Sequence, residues 1–321
     1  MAKLRVGAGG WAYFQVPGET SLKAYSSVFD FVEVNSTYYE YPSLRRVSEW
    51  RKNVPNEFAF AVRCHREIVG ALASKRRGIS GIVERMEAIC RTLRAVVLAV
   101  LLPNSSLEAD GITRGLEELL STFDANGTKV AVEFRGKPPT DQILRTLESG
   151  DAIHCVDLSR EQPRTDSDIL YTRLFGRGED NIYEFDDEEL EAIAAKASAP
   201  RFEKSILAFH GVRMYRDAAR FKTFLNSGEF PKITDYVGLQ SLNTVLKEDA
   251  KFPTSKVGLV TRQGWKLFDV TLTKRARASE YLSKLPDGDY ASLDSVISSL
   301  QGKFPRAPSL KTTHVKVRYS S

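Results

Sequence analysis

Eight polar residues stand at the ends of short apolar, β-branched runs in this sequence: Glu33, Asn35, Arg63, Glu133, Arg135, Asp157, Arg173 and His210. If those runs are strands of one closed sheet, their ends converge on a single mouth. The three carboxylates there are then costly to bury unless cations or a metal pair with them. Arg63, Arg135 and Arg173 are such cations. The same residues permit a satisfied ion network that fixes the rim of the sheet, or a binding or catalytic site. In the second case Glu33, Glu133 and Asp157 serve as general acid and base, with neighbouring charges pushing their pKa values apart, and the arginines hold an anionic substrate. Phosphodiester cleavage fits that set, and so does glycosidic-bond cleavage, for which two carboxylates facing a sugar suffice. For a metal the candidate ligands are Glu33, Glu133, Asp157 and His210, whose hard oxygens and one imidazole suit Mg²⁺ or Mn²⁺. Four histidines without an HxH or HExxH spacing argue against a multi-zinc cluster.

Around these ends lie aromatic and basic residues. Trp11, Tyr13, Tyr38, Tyr39 and Tyr41 follow the first two runs; His65, Arg66, Lys75, Arg76 and Arg77 follow the third, and Lys137 the fifth. Cations beside aromatic rings suit an anionic ligand with flat groups, such as single-stranded or flipped nucleotides. The expected substrate-binding residues are therefore Trp11, Asn35, Tyr38, Arg63, Arg135, Arg173 and His210.

The elements that must position these residues follow from hydrophobic periodicity. Short apolar runs alternate with longer amphipathic ones as far as about residue 225, the pattern of repeated βα units. Strands are predicted at 4–8, 31–34, 58–63, 96–101, 130–132, 153–156, 170–174 and 205–209. Helices are predicted at 22–28, 44–52, 79–91, 112–123, 141–148, 187–197 and 215–225, with none between the sixth and seventh strands. Eight alternating strands favour an α/β fold of the (β/α)8 TIM-barrel type over an open doubly wound sheet, since GAGG at 7–10 is a strand-end turn and not a GxGxxG fingerprint. After Gly228 the pattern changes to short helices without strands, at 239–246, 257–262, 276–282 and 293–300, with Thr254 or Ser255 and Ser292 as N-caps. The expected organisation is a barrel over 1–230, a helical appendage over 231–302 that docks a partner protein, and a basic flexible tail over 303–321.

Composition sets the outer limits. The chain has 321 residues, 42% hydrophobic and 27% charged, the balance of a globular protein with a large core. Its longest unbroken apolar run, Ala95 to Leu102, falls far short of the ~20 residues a membrane helix needs, and the start carries no signal-like stretch. Three scattered cysteines in apolar segments make neither a disulfide framework nor a metal knuckle, so a cytoplasmic location is expected. The net charge of +5 is uneven: residues 231–321 carry 15 Lys and Arg against 8 Asp and Glu, whereas 1–230 carry 31 against 33. A basic end of this kind adds non-specific affinity for an anionic polymer such as DNA or RNA.

Several blocks carry a family resemblance: VGAGGW at 6–11, FVEVNSTYY at 31–39, Trp50 with Pro55 and FAFAVR at 58–63, VEFR at 132–135, Asp157, and YTRLFG at 171–176. Over roughly residues 4–225 the sequence resembles the DUF72 family of largely uncharacterised TIM-barrel proteins, which implies a fold and a pocket but no reaction. Where the family commonly has lysine, glutamine and an R-x-H-G motif, this chain has Arg63, Leu101 and Arg173-Leu174-Phe175-Gly176. The usual Phe-Asn-Asn near the eighth strand is Phe209-His210-Gly211. If those polar residues serve a family activity, the resemblance implies that it is altered or lost here. The leading expectation is a nucleic-acid-directed hydrolase or lyase acting on a phosphodiester or N-glycosidic bond. The alternatives are a non-catalytic binding protein and a carbohydrate-processing enzyme.

Overall fold

The structure is a computed structural model and describes residues 2–73, 79–103 and 111–304. The chain divides after Pro231 into two compact units. In the first, β1 (Lys3–Ala8), β2 (Phe31–Val34), β3 (Ala59–Arg63), β4 (Val97–Leu102), β5 (Lys129–Phe134), β6 (Ile153–Cys155), β7 (Ile169–Leu174) and β8 (Lys204–Phe209) form one sheet in the order 6-5-4-3-2-1-8-7. Every pairing is parallel, and β8 lies beside β1 over six residues. The remaining seam, between β6 and β7, is bridged where Val156 pairs with Thr172. There the Val156 carbonyl accepts from Thr172 Oγ1 at 2.7 Å and from the Arg173 amide at 3.2 Å. The result is a (β/α)8 TIM barrel, and each predicted strand is found within two residues of its expected ends.

Period-two alternation decides what each strand offers to the two sides of the wall. Val32 and Val34 pack outward into the layer beneath the helices, while Phe31 and Glu33 face the lumen. The lower lumen is filled by Phe31, Ala61, Ala99, Ala131, Ile153 and Tyr171, small residues alternating with large ones. The next inward position up the strands carries Glu33, Arg63, Glu133 and Arg173, with Leu101 and Cys155 as the apolar exceptions on β4 and β6.

The surrounding helices are α1 (Ser21–Val28), α2 (Leu44–Lys52), α3 (Arg66–Ala73), α4 (Ser80–Leu93), α5 (Ile112–Thr122), α6 (Asp141–Ser149), α7 (Asp187–Ala197) and α8 (Met214–Ser227). Local caps fix several starts: Ser43 accepts from the Arg46 amide at 3.3 Å, and Asp186 with Glu189 forms a capping box at α7. One expectation is corrected here. The basic segment after β3, where no helix is predicted before residue 79, begins as helix α3, whose Ile68, Val69 and Leu72 are buried on one face. Lys75, Arg76 and Arg77 lie outside the described residues.

The second unit contains α9 (Leu239–Lys247), β9 (Thr254–Ser255), α10 (Lys256–Gln263), β10 (Leu267–Asp269), β11 (Arg275–Arg277), α11 (Ala278–Leu282), β12 (Asp289–Tyr290) and α12 (Leu293–Leu300). The helices are those expected, with Ser255 and Ser292 as caps. Contrary to expectation the unit also has strands, in two short antiparallel pairs, β10 with β11 and β9 with β12. Leu242, Leu246, Leu259, Phe268, Leu282 and Val296 form its own core. The basic tail beyond residue 304 lies outside the described residues. Among those residues no helix is long and apolar enough to cross a membrane.

Candidate functional site at the barrel mouth

The rim is organised around one buried cation. Arg173, on β7, grips Glu33 of β2 with two parallel bonds, Nε to Oε2 at 2.9 Å and Nη2 to Oε1 at 3.1 Å. Its remaining nitrogen, Nη1, bonds Glu133 of β5. Both Glu33 and Arg173 are excluded from solvent. This forked geometry is the kind in which an arginine offsets the cost of burying carboxylates. Tyr171, one inward position below Arg173, donates its hydroxyl to Glu33, and His210 Nε2 lies 3.5 Å from the same oxygen, long for a hydrogen bond. Arg135 completes the set with Nε 3.0 Å from Glu133 Oε1.

The charges follow from these contacts. Burial alone would raise the Glu33 carboxyl, but Arg173 and then His210 hold it well below the usual carboxylate range. Glu133 is lowered in the same way, with Arg173 and Arg135 outweighing burial. His210 is lowered by burial and by Arg173, against the pull of Glu33. Cys155 faces the same lumen with its thiol raised well above normal, first by burial and then by Glu133, and is unreactive.

Asp157 is placed differently. Its Oδ2 accepts from the Phe175 and Gly176 amides at 2.9 and 3.1 Å, and its Oδ1 from the Ser159 amide and hydroxyl at 3.0 and 2.6 Å. The carboxylate thus pins the segment after β6 to the end of β7. The four candidate metal ligands do not converge: the Arg173 guanidinium stands between Glu33 and Glu133, and Asp157 faces backbone. Among the described residues no group of three or more His, Cys, Asp or Glu side chains is disposed to hold a metal ion. Nor do Glu33 and Glu133 face each other across open space, as two carboxylates flanking a sugar would.

Arg63, at the end of β3, behaves unlike the other arginines. Its guanidinium stacks on the Tyr38 ring at 4.1 Å, and Nε, shielded from water, has no hydrogen-bond partner. Among the described residues no carboxylate lies within ion-pair distance of it. Burial, and then repulsion from Arg173, lower its pKa. Asn35, in the 3-10 turn after β2, donates Nδ2 to the Gly9 carbonyl at 2.7 Å and leaves Oδ1 unpaired. Gly9 has to be glycine, because a Cβ there would lie 2.2 Å from His210 Nδ1. Trp11 is half-buried and packs edge-on against Trp50 with centroids 5.4 Å apart. Tyr13 and Tyr39 are exposed, whereas Tyr41 stacks on the buried His65 ring at 3.9 Å. Leu101 is buried in the lumen, and Phe175 lies against His210 with centroids 4.9 Å apart.

A cleft of about 320 Å³ opens between the ends of β5, β6 and β7, lined by Glu133, Arg135, Asp157, Arg160, Glu161 and Phe175 among others. Glu161 was missed by sequence reasoning, for it sits in a segment with no strand or helix pattern to mark it. Its carboxyl is raised by partial burial and by the negative charges of Asp157 and Glu133. Among the described residues its side chain has no partner.

With the geometry in view, the comparisons with known proteins can be placed on it. The model of the family described as "Protein of unknown function DUF72" matches residues 5–234. The chain belongs to the DUF72 family. A DUF72 structure from Thermotoga maritima is similar with a TM-score of 0.60 at 20% identity, covering 70% of this chain and all of the other. A DUF72 structure from Enterococcus faecalis is similar with a TM-score of 0.57 at 18% identity, covering 70% and 98%. At such identities the likeness shows the barrel alone. No curated protein matches the chain.

Proposed function

We propose that this DUF72 protein is a nucleic-acid-directed hydrolase or lyase acting on a phosphodiester or N-glycosidic bond at the barrel mouth. The observation that carries the reading is Arg63, a half-buried guanidinium with no carboxylate within ion-pair distance among the described residues. A cation held in that way is completed by an anion brought from outside, and phosphate matches its fork. Tyr38 beneath it and the nearby Arg135 extend the anion site, and the basic C-terminal residues add affinity that depends on salt.

The proton chemistry falls to Glu161. Glu33 and Glu133 are held ionised by Arg173, and Asp157 is occupied by the Phe175, Gly176 and Ser159 amides, the Ser159 hydroxyl and Arg160 Nε at 3.7 Å. Glu161 lines the same cleft as Glu133, stands exposed to solvent at its edge, and has its carboxyl raised by partial desolvation and by Asp157 and Glu133, against the pull of Arg160 and Arg164. In hydrolysis it gives its proton to the leaving oxygen or nitrogen. Water bonds to the cleaved centre, and the proton that water sheds restores the acid. Glu133 contributes fixed negative charge opposite any positive charge that develops.

The pairing of Glu33, Glu133 and Asp157 also favours a second reading, a non-catalytic protein that binds an anionic ligand at the same mouth. Salt-dependent titration with labelled single-stranded DNA, duplex DNA and RNA, with and without Mg²⁺, Mn²⁺ and Zn²⁺, followed by a denaturing gel, separates the two. Binding lost in Arg63→Leu, with cleavage lost but binding kept in Glu161→Gln, supports the enzyme. Binding without cleavage under every condition supports the second reading. No binding at low salt sinks the nucleic-acid reading and turns the second reading to small sugars, metabolites or a protein partner.

A further inference from the structure

Beside the anion site lies a second, chemically different pocket of about 200 Å³, walled by Gly10, Trp11, Tyr13, Asn35, Met214 and Tyr215 among others. It is built from the segments that follow β1, β2 and β8, and Gly9, one of its lining residues, lies directly against the His210 ring. At that size it takes a single ring system and not a whole drug-sized molecule.

Two of its walls are rigid. Trp11 is braced by Trp50, and Tyr215 is held by edge contacts to Phe14 and Tyr25 while its hydroxyl reaches the Gly10 carbonyl at 3.3 Å. The third wall is Tyr13, 84% exposed, an aromatic ring left in water at the lip of an apolar pocket. Rings so arranged offer faces for stacking to a flat guest.

Asn35, one of the lining residues, also carries an unmet polar demand. Asn35 Nδ2 is fixed by its bond to the Gly9 carbonyl, which settles which end of the amide is oxygen. The oxygen is therefore an acceptor, shielded from water and without a donor. An unmade hydrogen bond of this kind is satisfied by a guest that brings an N–H of its own.

We infer that this pocket is the subsite for a nucleobase carrying an exocyclic amino group, which stacks between Trp11, Tyr13 and Tyr215 and donates to Asn35 Oδ1. The inference rests on the proposed function, since the base belongs to the ligand whose phosphate Arg63 holds. The pocket lining contains no carboxylate and no cation, so it selects the flat end of the ligand and leaves the charge to Arg63.

Isothermal titration of the full-length protein with inorganic phosphate, ribose 5-phosphate, adenosine 5′-monophosphate and purine riboside 5′-monophosphate, the last lacking the amino group, tests this directly. The expected result is weak binding of the first two that is lost in Arg63→Leu. Adenosine monophosphate should bind at least about tenfold tighter than ribose 5-phosphate and than the analogue without the amino group, as a hydrogen-bonding site discriminates. Tyr13→Ala, a change at an exposed ring, should erase most of the advantage over ribose 5-phosphate. Equal affinity for adenosine monophosphate and ribose 5-phosphate, or an advantage untouched in Tyr13→Ala, overturns the base subsite while leaving the Arg63 site standing. Equal affinity for the two nucleotides overturns the role of Asn35. Absence of any phosphate binding through Arg63 overturns the proposed function itself.

Discussion

At the scale of single residues, the mouth is governed by how many partners each charge has. Arg173 serves two carboxylates at once, so its replacement leaves the fully buried Glu33 without its cation and Glu133 with Arg135 alone. Arg173→Met is expected to lower stability by about 3–5 kcal/mol, the usual cost of removing one member of a buried ion network; urea denaturation gives the figure, and a loss below about 1 kcal/mol would show that water reaches the network. Asp217 makes the opposite case. Burial, followed by the charge of Glu184, raises its carboxyl well above the ordinary 3.8 despite Arg220 at 3.6 Å, the Phe185 backbone and Arg216, and neither oxygen makes a hydrogen bond of good geometry. A carboxyl raised in the fold keeps a proton that the unfolded chain releases. Its contribution to stability is therefore complete below the unfolded value and is lost as pH rises through the window up to the folded value. Asp217→Asn removes that dependence, so its melting temperature should exceed the parent's near pH 7 and the gap should narrow toward about pH 4; a gap constant with pH would refute the shift. The sequence named the partners in the mouth but not the pairing, because Glu33 and Arg173 are 140 positions apart and only closure of the barrel brings them together. Asp217 was invisible for the same reason: burial and the spatially adjacent Glu184, which raise it, leave no trace in local pattern.

At the scale of elements, what was legible was what periodicity records. Strands buried on both faces read as continuous apolar runs, and the helices that cover them show one apolar stripe, so all eight strands and most of the barrel helices could be placed from the sequence. The misses share a cause. Helix α3 is only eight residues long, starts two residues after a strand, and lacks a Ser, Thr, Asp or Asn cap to announce it. The strands of the second unit are two or three residues long, too short for alternation to show. The role of Asp157 also belongs to this scale. By accepting from the Phe175 and Gly176 amides it ties the two segments that flank the weakest join in the sheet, where β6 meets β7 through a single bridge. Asp157→Ala leaves those two amides unpaired and should cost about 1–3 kcal/mol. The loss should be local, seen as faster hydrogen exchange at Phe175, Gly176 and Arg173 than at β1 or β8, whose mutual pairing is long. A uniform rise in exchange across the barrel would mean that Asp157 supports the fold as a whole and not this seam.

At the scale of the whole molecule, the two units differ in how their cores are built. Every buried residue of the main barrel core falls at or before Phe221, and the partly buried apolar residues packed against it end at Phe230. The second core draws only on residues from Ile233 onward. A hydrophobic core drawn, among the described residues, from positions up to 230 has what independent folding requires, because burial is the dominant favourable term and the barrel is long enough to bury most of its apolar surface alone. A chain ending at residue 231 should therefore give a single cooperative thermal transition with a native near-ultraviolet circular dichroism spectrum. It should also retain phosphate binding through Arg63, since every residue of the proposed anion site belongs to that unit. What it should lose is the part of nucleic-acid affinity contributed by the basic C-terminal residues, read as a shallower dependence of log Kd on log salt than the full chain shows. An insoluble or molten product would show that the barrel depends on the second unit for stability, and an unchanged salt dependence would place the whole of the electrostatic affinity at the mouth.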